Sequence, residues 1–248
     1  KIAKASHMKN IIVLQHIKIE DPGYIKDLML EDKVNIKTVE LDEGEKIPND
    51  LSSFDAMFCM GGPMDTWMEK DYPWLVEEKK KIKEFVVDLN KPYLGFCLGC
   101  QLLGEVVGGK VVKSKNPEIG ILDINFLNSK KDDLLFKEYP DIIKSLQWHS
   151  YEVQNLENID DITLLASSPE TKYQIFKYKK HAYGIQFHIE IKDTTVGEWG
   201  CVPEYKSALE SQLGEGALEK FDSEAKENIQ SMNKYSKMLY ENFKKIVN

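Results

Sequence analysis

The stretch "KPYLGFCLGCQLLGEVVGGKV", residues 91–111, decides how the rest of this chain is read. An apolar run, "PYLGFC", passes directly into "LGCQLLGEVV", which has helical spacing and closes on Gly108 and Gly109. Cys97 stands at the junction between Gly95 and Gly99, and Cys100 follows three residues on. Strand, turn and helix in that order admit three readings: an exposed nucleophile, a thiol redox pair, or a buried strand running into a buried helix. Flanking glycines let a chain make the sharp turn of a G-x-S-x-G elbow. A helix N-terminus behind the sulfur favours an anion, which matters because an ordinary thiol is only about 3% ionised at pH 7. Cysteine is also among the residues most often buried, so these residues alone leave all three readings open.

Outward from that junction, short β-rich runs alternate with helical patterns. "NIIVLQH" (10–16), "NIKTVEL" (35–41) and "FDAMFCM" (54–60) read as strands, and the last runs into Gly61-Gly62-Pro63. "DPGYIKDLML" reads as a loop opening a helix. "PWLVEEKKKIKEFVVDL" (73–89) is helical, with Pro73 suited to its first turn. Its charges, Glu77, Glu78, Lys79, Lys80, Lys81 and Lys83, read as a solvated face. From residue 110 the chain turns to strands: "KVVK", "ILDINFL", "SLQWH", "ITLLAS", "YQIFKY" and "AYGIQFH". The tail is helical, with Ile229, Met232, Tyr235, Leu239, Phe243 and Ile246 on one packing face. This order predicts an α/β fold with a doubly wound, mostly parallel sheet flanked by helices. The opening "KIAKASHM" reads as an expression scar over 1–7, leaving residues 8–248 as one domain with a helical tail.

Composition narrows the function. A net charge of -8 is the wrong sign for a general nucleic-acid binder. No apolar run approaches the roughly 20 residues that span a bilayer. Four cysteines without a regular framework suggest a reducing compartment, so the cytoplasm is expected. Cys59 and Cys201 have no His or Cys at metal-ligand spacing, so neither metal nor cofactor is expected. No G-x-x-x-x-G-K-[ST] loop is present.

In open α/β sheets, reactive groups gather beyond the carboxyl ends of strands. Gly61-Gly62-Pro63, Cys97, and His188 with Glu190 in "GIQFHIE" all fall at such places. Residues i and i+2 of an extended segment face one side, so Glu190 can hold the His188 ring, as in a catalytic triad.

"GFCLGCQLLGEVVGG", "MGGPMD" and "GIQFHIE" together resemble the class I glutamine amidotransferases. "LQHIKIEDPGYI", "DYPWLVEEKKKIKEF", "PEIGILDINF", "LQWHSYEV" and "QIFKYKKHAYGIQFHIE" are similar to that family's stand-alone, GMP-synthase-like members. The resemblance implies a flavodoxin-like fold, with Cys97 as nucleophile, His188 as general base and then acid, and Glu190 as its orienting carboxylate. It places Gly62 in the oxyanion hole with the backbone N–H of Leu98. It makes Gln101 a glutamine contact and puts the backbone around Ser150 and Tyr151 at the substrate's amino-acid end. Two positions depart from the pattern. Ile189 stands where the family usually has proline, and Ser150 and Tyr151 stand where stand-alone relatives often have glycine and aspartate. The implied reaction is hydrolysis of the γ-amide of glutamine, or of a γ-glutamyl amide or peptide, through a γ-glutamyl thioester. The alternatives are a glutaminase that feeds ammonia to a separate synthase subunit, or else a non-catalytic binding module or a thiol redox protein using Cys97 and Cys100.

Overall fold

The first strand, β1 (Asn10–Gln15), has no solvent face: Ile11, Ile12, Val13 and Leu14 are all fully buried. Successive side chains of a strand point to opposite sides, and here the alternation sorts two cores. Ile11 and Val13 pack with α1 (Gly23–Glu31) and α6 (Ala217–Ile246). Ile12 and Leu14 pack with α2 (Trp74–Lys83) and α3 (Leu98–Val106) on the other side. This is a computed structural model describing residues 8–247, and the expected scar at 1–7 lies outside the described residues.

The remaining strands are β2 (Asn35–Glu40), β3 (Ala56–Cys59), β4 (Tyr93–Phe96), β5 (Lys110–Phe126), β6 (Ile142–Gln154), β7 (Ile162–Ser167), β8 (Ile175–Tyr178) and β9 (Ala182–Ile185). They form one sheet in the order β2-β1-β3-β4-β9-β8-β7-β5-β6. The α/β class holds, and the sheet is mixed. Pairings from β2 to β9 are parallel, as expected; those from β9 to β6 are antiparallel. Connection length explains the split. Helices α1 and α2 carry the crossovers that parallel neighbours require, whereas only residues 179–181 join β8 to β9, a hairpin turn.

Two runs expected as separate strands, "KVVK" and "ILDINFL", are one strand, β5. The breaker residues between them sit at a register shift between Lys113 and Glu118, where a bulge absorbs Pro117. The tail stripe is packing surface, as expected. Met232, Leu239 and Phe243 are fully buried, with Ile229, Tyr235 and Ile246 partly so against the same core. Phe243 meets Phe58 of β3 edge-on at 5.5 Å. The charged run of α2 needs a correction. Glu78 is fully buried and Lys81 nearly so. Lys81 stays satisfied through the Asn49 carbonyl and Glu84, while Glu78 turns inward towards His16, just past β1.

Candidate active site

Strand β4 ends at Phe96 and α3 begins at Leu98, which leaves Cys97 alone to reverse the chain direction. It does so at φ 52° and ψ −104°, a backbone state that non-glycine residues rarely occupy. Three bonds pin it there. The Cys97 N–H donates to the Ile185 carbonyl at 2.8 Å, tying the elbow to β9. The Gln101 N–H donates to the Cys97 carbonyl at 3.0 Å and starts the helix. The Tyr93 hydroxyl donates to the Gly99 carbonyl at 2.7 Å.

The flanking glycines work differently from the sequence expectation. Neither Gly95 nor Gly99 has positive φ; the cysteine carries the turn. A methyl group at Gly99 would run into the Cys59 carbonyl, and one at Gly95 into the Gly99 carbonyl. Glycine at these positions permits close approach of backbone to backbone.

His188 lies just past β9, where its backbone exchanges two hydrogen bonds with Leu146 of β6, at 3.0 and 2.9 Å. Its Nδ1 is 2.6 Å from Glu190 Oε1. Glu190 Oε2 accepts the Ile189 N–H at 3.1 Å, so the carboxylate is held at both oxygens with isoleucine between the two residues. Trp199, at the end of α4 (Thr195–Trp199), stands edge-on to the imidazole at 4.7 Å. Burial by itself would lower the His188 pKa. The Glu190 charge and hydrogen bond, together with the nearby Cys97 sulfur, override it and hold the ring well above the usual histidine range. The imidazole therefore lies between the carboxylate that holds it and the sulfur that acts on its charge.

Cys97 opens onto a cavity of about 360 Å³ that Gly62, Leu98, Gln101, Ser150 and Tyr151 also line. The structure thus brings every sequence-predicted site residue around one cleft, with His188 and Glu190 behind the sulfur. The far wall comes from Glu204, Tyr205 and Ala208 of α5 (Pro203–Leu213). The Leu98 N–H is in the unpaired first turn of a helix, and the Gly62 N–H has no backbone acceptor among the described residues. Gln101 is oriented inward: its Nε2 donates to the Tyr151 carbonyl at 3.0 Å and to Gln186 Oε1 at 3.2 Å.

Sequence reading missed four residues here, Gln186, Glu20, His16 and Glu78. Gln186 donates to the Cys97 sulfur at 3.5 Å; its spacing of two from His188 was the available signal. Glu20 is buried, takes a 2.5 Å hydrogen bond from the Tyr205 hydroxyl, and leaves its Oε1 unpaired. Burial pushes its carboxyl up to about 7, against the pull of His188, the Tyr205 hydroxyl and His16. Gly61 is pressed between Glu20 Oε1 and His188 Cε1, where any side chain would collide. His16 and Glu78 form a second buried pair at 2.6 Å on the other side of that glycine. No local pattern marks Glu20, His16 or Glu78.

A cysteine on a strand-elbow-helix turn, beside a carboxylate-held imidazole, is the arrangement that α/β enzymes of cysteine-dependent acyl transfer use. Residues 24–199 match the family model of glutamine amidotransferase class-I, and the chain belongs to that family. A glutamine-hydrolyzing GMP synthase subunit of Sulfolobus acidocaldarius is 31% identical over 154 residues, which are 62% of this chain and 76% of that protein. The corresponding protein of Ignicoccus hospitalis is 34% identical over 151 residues, 60% of this chain and 74% of that one. Among solved structures, a glutamine amidotransferase from Thermotoga maritima superposes with a TM-score of 0.84 at 27% identity, over 96% of this chain and 99% of that one.

Proposed function

We propose that this chain hydrolyses the γ-amide of glutamine or of a γ-glutamyl amide or peptide, with Cys97, His188 and Glu190 acting as a triad. The observation that carries the reading is the Cys97 sulfur on a positive-φ elbow, close enough to a buried imidazole to raise its pKa, with that ring's Nδ1 2.6 Å from Glu190. Because Nδ1 donates to Glu190, Nε2 is the nitrogen left to exchange a proton with sulfur. Sulfur attacks the amide carbon while His188 holds the thiol proton. The oxyanion is received by the N–H groups of Gly62 and Leu98, one such donor being worth about 2.7–4 kcal/mol. His188 then protonates the departing amine, leaving a γ-glutamyl thioester, and takes a proton from the water that hydrolyses it. Gln101 keeps the Tyr151 carbonyl in place at the substrate end. Cys97→Ala should remove at least ~10³-fold of kcat while the protein stays folded; turnover surviving in that variant rejects the assignment.

The second reading, in which the chain passes ammonia to a synthase, draws on the names of the GMP synthase relatives. The self-sufficient hydrolase draws on the cleft itself, whose walls, α5 included, all come from this chain. A panel of glutamine, γ-glutamyl amides and γ-glutamyl peptides, given to the purified chain alone, separates them. Brisk turnover supports the hydrolase, and silence without a partner supports the ammonia donor. The redox reading loses ground because burial, with Cys97 beside it, pushes the Cys100 thiol well up.

A further inference from the structure

His16 follows β1 and Glu78 sits mid-way along α2, and both side chains are fully buried. His16 Nε2 lies 2.6 Å from Glu78 Oε2, and His16 Nδ1 lies 3.2 Å from the Gly61 carbonyl oxygen. Trp74 stacks on the ring at 5.6 Å and fixes its plane. The Cys59 sulfur, 3.6 Å from the same Glu78 oxygen, completes a compact group. Its geometry is that of a hydrogen-bonded pair: two ligands on a tetrahedral zinc would stand roughly 3.3 Å apart, wider than the 2.6 Å seen here.

A carbonyl oxygen only accepts, so the Nδ1 facing Gly61 carries a proton. The Glu78 carboxylate supports the same ring state from the far side, raising the His16 pKa against the effect of burial. Buried ion pairs seldom add net stability over apolar packing, and this one leaves Glu78 Oε1 without a partner. Its worth is better sought in what it orients. Gly61 and Gly62 share a planar trans peptide, in which the carbonyl and the next N–H point in opposite directions. Two glycines in sequence have little intrinsic preference for either orientation of that peptide.

We infer that His16, held by Glu78, is a positioning residue. By capturing the Gly61 carbonyl it turns the Gly62 N–H into the cleft where an oxyanion forms. This rests on the hydrolase reading above, and it assigns a role to a pair that touches neither substrate nor the Cys97 sulfur.

Asparagine places an amide nitrogen near the position of a histidine Nδ1, and glutamine near that of Nε2. His16→Gln should therefore keep the Glu78 contact, lose the Gly61 contact and lower kcat by roughly 10–100-fold, with KM within about 3-fold. His16→Asn should lose the Glu78 contact yet hold kcat within about 5-fold. Alkylation of Cys97 by iodoacetamide forms no oxyanion, so its rate should stay within about 2-fold in both variants. Equal losses in the two variants, an unchanged His16→Gln, or alkylation falling in step with kcat would overturn the inference. Histidine ¹⁵N NMR of the unaltered chain gives a readout independent of folding of the variants and of turnover. The His16 Nδ1 must carry a proton across pH 6–8, and an unprotonated Nδ1 rejects the inference even if the hydrolase reading stands. A protonated Nδ1 in a chain that cleaves no γ-glutamyl amide would instead sink the hydrolase reading, and the role inferred for His16 with it, while the hydrogen bond to Gly61 stood.

Discussion

Two histidine–glutamate pairs flank Gly61, each closed at 2.6 Å and each buried. One comes from residues two apart in a single extended segment, and its ring faces a sulfur. The other joins residues 62 apart on different elements, and its ring faces a carbonyl. The same chemical unit thus serves two ends. Beside a thiol it can move a proton; beside a peptide it can only hold a direction. On the two roles proposed above, partner atoms rather than the pair itself decide what a buried imidazole does.

The sharpest way to break the contrast is Glu190→Gln. It leaves the His188 ring in place without its counter-charge, and kcat should fall by about 10³–10⁴-fold while KM changes little. Steady-state kinetics check this, and a loss below about 10-fold would make the two pairs equivalent. Next comes Gly99→Ala, which pushes on the ground the pairs share. The new methyl meets Cys59, whose thiol contacts Glu78, while the same residue supports the elbow. Urea unfolding should show a loss of roughly 3 kcal/mol.

Glu20 reaches both pairs, since His188 and His16 each draw on its charge. Its folded pKa, about 7, lies above the usual carboxylate value, so the native state binds an extra proton between those values. Stability from this group is therefore lost as pH rises towards 7. Glu20→Gln should remove that loss, making the variant relatively more stable at pH 8 than at pH 5.5 by roughly 2 kcal/mol in urea melts at the two pH values. The smallest effect is expected from Cys100→Ala. It removes one buried sulfur next to Gly184, should cost about 1 kcal/mol and should leave kcat within about 2-fold. A larger loss of activity there would revive the thiol redox reading.

What the sequence disclosed follows the same division. Cys97 announced itself because strand, turn and helix are contiguous, and His188 with Glu190 because strand periodicity puts them on one side. The parallel half of the sheet was legible for a related reason: its first crossovers contain helices with apolar stripes of their own. The antiparallel half was harder. Pro117 and its neighbours look like the end of a strand, and only pairing with β6 through a bulge makes β5 continuous. His16 and Glu78 lay hidden because their meeting is a tertiary event, and Glu78 sits within a run of lysines that resembles an ordinary wet face.

The cleft is assembled from two stretches, one inside the family match and one after it. Sulfur, imidazole and carboxylate all lie within residues 24–199, the segment shared across the family, whereas Glu204, Tyr205 and Ala208 on α5 fall beyond it. Exchange of α5 would redraw the outline that an incoming molecule must fit, provided the new helix keeps a hydroxyl on Glu20 where Tyr205 places one. On the hydrolase reading proposed above, this helix is where the choice of incoming molecule can be altered without touching sulfur, imidazole or carboxylate directly.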